Sequence, residues 1–248
     1  MSDSTTIFQN VLSRLAESLT PHINQNLILL EKESAQEPQK NEFGEIFNSF
    51  PRNLSQYSSV ISTLTKVGKY GSTEIVVFLV DTIKTIFKTK KCSIFLNIHR
   101  SSTAFKKNNK LHSRFMMHFE LIFLVDLILQ IISNYGTESL DSVILDCCYY
   151  FVEASDMDSK SYNKILKQWA MIISFVSETA FASFFLFFKR HVESQYVENV
   201  FMIMQYLRLD LNDNFSKDFL EFLLNALKNL QKKKVLNNKI LKCLSNIV

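Results

Sequence analysis

The feature that most constrains this chain is its shortage of turn residues: 4 Gly and 3 Pro in 248 residues, against the ~7% and ~5% of an ordinary protein. Sandwiches, barrels and α/β enzymes need Gly where the backbone turns at positive φ or approaches a neighbour closely, whereas helices need only a short break between them. Apolar residues make up 47% of the chain and charged residues 21%, which excludes a disordered chain and a solvated coiled coil. An all-α fold with a large packed core follows. A chain of this length buries enough apolar surface to fold as a single domain over residues 1–248 without disulfides or metals.

Periodicity places the elements. Ile7, Val11, Leu15, Leu19 and Ile23 recur at near-helical spacing behind Ser4, a candidate N-cap. Residues 31–44 are polar, carry Pro38 and lack periodicity, and so predict a flexible loop. Tyr57 to Val67 and Thr73 to Phe87 predict an αα-hairpin, with Gly68 and Gly71 as helix C-caps between them. A second flexible loop is predicted over 99–112, within HRSSTAFKKNNKL. Further helices are expected at Ser113–Ser133, Leu140–Glu153, Tyr162–Phe188 with a break near Glu178 to Ala180, Val197–Leu209, Lys217–Leu230 and Val235–Ile247. Asn134-Tyr135-Gly136, Asp156 to Asp158 and Asn212 to Asn214 supply turn and cap chemistry between them. About ten paired helices in one chain predict a HEAT- or armadillo-like α-solenoid, although no clean repeat period is present.

Trp169 to Phe188 has the length of a bilayer-spanning helix, but Glu178 at its centre costs on the order of 3 kcal/mol there, and four hydroxyl residues add to it. The expectation is a helix enclosed by other helices, with Trp169 buried and no membrane span. Glu120 to Ile132 is interrupted in the same way by Asp126.

The chain contains no GxGxxG, GxxxxGK[ST], HExxH or GxSxG, the motifs that build phosphate cradles, zinc sites and nucleophile elbows. His112 and His118 are six residues apart, and Cys147 and Cys148 are adjacent and point about 100° apart, so neither pair suits a shared metal ion. Buried free thiols are expected. Asp141 and Asp146 have no partner motif for acid–base work and read as face charges. The N-terminus opens on Ser, Asp and Thr and the four Cys form no CxxC, which predicts a reducing, cytoplasmic setting where the sequons at Asn53 and Asn214 are not glycosylated. No enzymatic activity, cofactor, metal or small-molecule substrate is expected.

Charge is segregated. Thr82 to Arg114 holds nine Lys or Arg and no acid, and Phe115 to Ser159 holds eight Asp or Glu and no cation. The net charge of +4 would be 4 − 9 = −5 without the first stretch. A nucleic-acid site would interleave aromatics with the cations, and only Phe105 lies among them in the loop. Anionic lipid, a solvated loop, an acidic protein partner, and the neighbouring acidic helices remain as readings. The candidate partner-binding residues are Lys90, Lys91, Arg100, Lys106, Lys107, Lys110 and Arg114.

Several stretches, in order, resemble the N-terminal domain of the Furry family of cell-morphogenesis scaffolds. They are Val11-Leu12 through Ile23, Ser62-Thr63-Leu64 through Leu79, Leu140-Asp141-Ser142-Val143-Ile144, Trp169, and Val176-Ser177-Glu178-Thr179-Ala180-Phe181 with Phe188 beyond. Met204-Gln205-Tyr206-Leu207-Arg208-Leu209, Phe219-Leu220 and Ile240 to Val248 complete the succession. The sequence departs from the family pattern at Gln168, where the family has Asn, at Val125, where Arg is expected, and near Thr82, where a Trp-Arg pair is missing. The resemblance implies a non-catalytic α-solenoid scaffold that holds an NDR-type kinase and its Mob coactivator, supports polarised growth and cell morphogenesis, and works in the cytoplasm at the cell cortex or sites of polarised growth. The family's members are far longer, so the chain would be an excised piece or a reduced relative. The alternatives are an unrelated HEAT-like adaptor in trafficking or transport and a helical-repeat nucleic-acid binder.

Overall fold

The computed structural model describes residues 68–92, 109–136, 139–154, 159–192, 194–207, 213–234 and 237–247. Every regular element among them is an α-helix: α1 (Gly68–Thr89), α2 (Asn109–Tyr135), α3 (Asp141–Glu153), α4 (Ser159–Ile173), α5 (Glu178–His191), α6 (Val197–Met204), α7 (Asp213–Lys232) and α8 (Asn238–Ile247). The all-α expectation is met. The helices expected at 7–23 and 57–67 and the loop expected at 31–44 lie outside the described residues. The chain divides into two compact units, Met1–Ile131 with Met157–Lys164, and Ile132–Asp156 with Ile165–Val248.

In the first unit, α1 buries Ile75, Val76, Leu79, Val80, Ile83, Ile86 and Phe87, the i, i+4, i+7, i+8 rows of one helix face. Its threonines fit a helix because Thr82, Thr85 and Thr89 each donate the hydroxyl to the carbonyl four residues back, at 2.9, 2.8 and 2.8 Å. Gly68 and Gly71 belong to α1 and are not C-caps between two helices. A helical Gly costs only about 1 kcal/mol, which the buried face that follows outweighs. Helix α2 likewise starts at Asn109, so the C-terminal part of the loop predicted over 99–112 is helical. A polar first turn needs no buried face, and Asn is tolerated near a helix start.

Met116–Tyr135 of α2 is long and apolar enough to cross a membrane, with mean hydropathy 1.8 over its most apolar window, but 78% of that window is buried within the structure. Enclosure by protein explains a helix that is apolar nearly all round. It ends on Gly136 at φ 79°, whose N–H donates to Ile132 O at 2.7 Å, the left-handed C-cap that Gly adopts without strain.

The second unit is built around aromatic side chains. Trp169 is fully buried, as expected, and stacks on Phe151 with ring centroids 4.5 Å apart. The run from Trp169 to Phe188 is two helices and not one: it leaves α-geometry at Ser174 to Val176, and Ser177 is the N-cap of α5. The break therefore falls one turn before the expected Glu178 to Ala180, because Ser caps well and Glu178 suits the first helical turn. Polar side chains then tie the helix ends together. Asn199 of α6 donates to the carbonyls of Val152 and Ala154 at 2.8 and 3.3 Å, closing the C-terminus of α3. Asn237 caps α8 through Ile240 N–H at 2.9 Å and donates to Glu198 of α6 at 2.7 Å, while Asn246 of α8 donates to Gln205 at 3.0 Å. Helix α6 packs on α8, α3 and α5, and α3 packs on α5.

Candidate functional site

Of the seven basic residues singled out from the sequence, Lys90, Lys91 and Arg114 are described with their side chains, and Lys110 lies in the first turn of α2. Arg100, Lys106 and Lys107 lie outside the described residues. Lys90 and Lys91 sit together in the turn that leaves α1, both exposed. Their backbone is fixed on both sides. Lys90 adopts φ 55° and donates its N–H to Ile86 O at 2.8 Å, a left-handed cap made by a non-Gly residue. Cys92 then turns inward, 7% exposed, and its thiol hydrogen-bonds the buried carboxyl of Glu120 on α2. Burial and then the Glu120 carboxylate push the Cys92 thiol far above its ordinary range, so it is a packing and anchoring group and not a nucleophile. With Lys88, also exposed, three cations stand at the negative end of α1.

Arg114 is on a different element, the second turn of α2, and is exposed. One turn further on, His118 is fully buried. Burial, and secondarily the Arg114 cation, lower its pKa from 6.5 to about 3, so its imidazole is neutral in the folded chain. Half-buried Asp126 accepts a 2.9 Å hydrogen bond from Gln130, and burial raises its carboxyl above the usual range against the pull of Gln130 and of Lys164 on α4. Lys164 is lowered by burial, which Asp126 opposes. His118, Glu120 and Thr82 are the buried polar side chains among the described residues. The sequence signal for them is only their interruption of an apolar run, and that signal does not distinguish a buried position from an exposed one.

Two acids of the acidic stretch, Asp141 and Glu153, are engaged within the second unit. Asp141 accepts from the Ser177 hydroxyl at 2.5 Å and from the Ser177 N–H at 3.3 Å, and the same Ser177 Oγ accepts from Ala180 N–H at 3.4 Å. Glu153 meets His191 Nε2 at 3.4 Å, and the His191 ring lies 3.9 Å from that of Phe187. Cys147 and Cys148 are buried free thiols, as expected. Burial drives the Cys148 thiol far up; the neighbouring Trp169 opposes this weakly.

One open groove of about 410 Å³ runs between the C-terminal end of α5 and α7, lined by Lys189, Val192, Asp218, Glu221, Asn225 and Asn229 among others. It offers charges of both signs and amides, and its lining holds no hydroxyl or thiol nucleophile. No group of three or more His, Cys, Asp or Glu among the described residues is arranged to hold a metal ion.

No protein-family model, curated protein or solved structure matches the chain. The most clearly built presentation of charge in the first unit is the Lys90-Lys91 turn, fixed by a backbone cap on one side and by Cys92 on the other.

Proposed function

We propose that the chain is a non-catalytic helical scaffold, of the HEAT or armadillo-like solenoid type, whose basic stretch docks an acidic protein surface. The observation that carries this reading is the Lys90-Lys91 turn: two exposed cations held by a fixed backbone, within a stretch of nine cations and no acid. Fixed charges of one sign steer a complementary partner and set its register. The pairwise packing of α3 on α5 and of α5 on α6 supports a stacked-helix architecture. Following the Furry resemblance, the partner is an NDR-type kinase with its Mob coactivator, and the setting is polarised growth and cell morphogenesis in the cytoplasm or at the cell cortex.

The test is association of the purified chain with a kinase–Mob complex, measured by surface plasmon resonance across a salt series. Replacing Lys90→Glu with Lys91→Glu should slow association about tenfold or more at low salt, with melting nearly unchanged because exposed charges contribute about 0 to 1 kcal/mol each. Unaltered association at every salt concentration would refute the docking surface. Absence of any binding by the unaltered chain would refute the partner and leave the unrelated HEAT-like adaptor as the reading.

A further inference from the structure

The C-terminal part of the second unit carries a separate, unassigned surface. From Phe222 to Val248 the chain has six Lys, no Arg and no acid. Lys228, Lys232, Lys233, Lys234 and Lys242 are all exposed. Lys232 closes α7, and the two residues after it are held to the helix end: Lys233 N–H donates to Asn229 O at 3.0 Å, Lys234 N–H donates to Gln231 O at 3.1 Å, and Lys234 sits at φ 56°.

Exposed leucines occur on both helices. Leu220 and Leu224 of α7 are 53% and 58% exposed, and Leu241 of α8 is 45% exposed. At about 100° per residue, Leu220 and Leu224 lie about 40° apart on the α7 wheel, with Lys217 and Lys228 directly beside them. The opposite side of α7 is used by the fold, where Leu223, Ala226 and Leu230 are buried and Phe219 and Phe222 meet Phe185 at 5.5 and 4.9 Å. Asp218 and Glu221 line the groove with Lys189, and exposed Glu221 also borders this face about 20° from Lys228, so the face is basic with one acid at its edge.

We propose that the outward face of α7, with the lysines at its C-terminal end, binds the face of an anionic lipid bilayer peripherally, Leu220 and Leu224 entering the headgroup boundary and the lysines meeting lipid phosphates and carboxylates. Charge complementarity selects an anionic surface, and adjacent exposed leucines without an exposed aromatic beside them fit the headgroup boundary of a bilayer better than the stacked bases of a nucleic acid. Base stacking would need exposed aromatics, and bidentate phosphate recognition would need Arg. Lysines fit a lipid surface because their stems lie along apolar material while their ammonium groups reach the headgroups. The site is independent of the Lys90-Lys91 turn.

The test is flotation of the full chain with vesicles of phosphatidylcholine alone and of phosphatidylcholine with about 30% phosphatidylserine. Binding should require phosphatidylserine and weaken steeply with salt. Changing Lys232→Gln, Lys233→Gln and Lys234→Gln together should weaken it about a hundredfold, and Leu220→Ser with Leu224→Ser about tenfold or more, each with the helical circular dichroism unchanged. The Lys90→Glu, Lys91→Glu chain should still float. Equal binding to both vesicle types, no binding to either, unchanged binding by both sets of variants, or tighter binding to duplex DNA than to the vesicles would overturn the proposal.

Discussion

Burying His118 without its charge makes the first unit sensitive to acid in a calculable way. The imidazole is fully buried on α2 and its pKa is lowered from 6.5 to about 3, chiefly by loss of hydration and then by Arg114. Between those two values the unfolded chain takes up a proton that the folded chain refuses. The stabilisation from keeping His118 neutral is therefore fully present above about pH 6.5 and is lost as pH falls toward 3. Going from pH 7 to pH 5 should cost about 2 kcal/mol of unfolding free energy from this residue alone. Asp126 works in the opposite direction, because its raised carboxyl takes up a proton in the folded state before the unfolded one does. The comparison must then be with His118→Leu, in which Asp126 and every other carboxylate still titrate. Urea unfolding of both chains at pH 7 and pH 5 gives the double difference, and the unaltered chain should lose about 2 kcal/mol more than the variant. The same loss in both chains would refute the argument. So would an imidazole proton resonance of His118 that titrates near pH 6.5 in the folded protein.

Asn199→Ala removes the donor that closes the C-terminus of α3 at Val152 and Ala154, and should lower unfolding free energy by about 1 to 3 kcal/mol in chemical denaturation. Ser177→Ala removes the α5 N-cap and the hydroxyl donor to Asp141 together, leaving the Ser177 N–H donor in place; a loss of about 1 to 2 kcal/mol is expected in chemical denaturation, and no loss would show that neither the cap nor the hydroxyl link contributes. Gly136→Ala meets no atom within 4 Å but must hold φ 79°, so calorimetry should show a cost of about 1 kcal/mol from backbone conformation alone. Trp169→Ala empties the stack against Phe151 and should cost about 3 to 5 kcal/mol, while the unaltered Trp169 should emit at the short wavelengths of a buried indole.

Helicity was determined locally and so was readable from the sequence. Four Gly and three Pro in 248 residues leave a chain no repertoire of tight turns, and the 3.6-residue recurrence of apolar side chains does the rest. Asp141–Glu153 and the turn at Gly136 fall where spacing and turn chemistry put them. Helix starts were less legible at Gly68 and Asn109, since a glycine and a polar turn are each tolerated at small cost when a buried face follows.

What a polar residue does was decided by tertiary structure. Asp141 and Ser177 are 36 residues apart and Asn199 and Val152 are 47 apart, and no local pattern specifies which helix end a given Asn or Asp will meet. The same holds for the cations. Composition marks 82–114 as uniformly basic, but only the fold makes Lys90 a left-handed cap, turns Cys92 inward onto Glu120, and buries His118 one turn after an exposed Arg114. Periodicity tells a helix which residues to hide, because hiding them is a property of its own face. Which partner satisfies a buried polar group, and which leucines and lysines remain on the surface, depends on the neighbouring helices, and only packing supplies those.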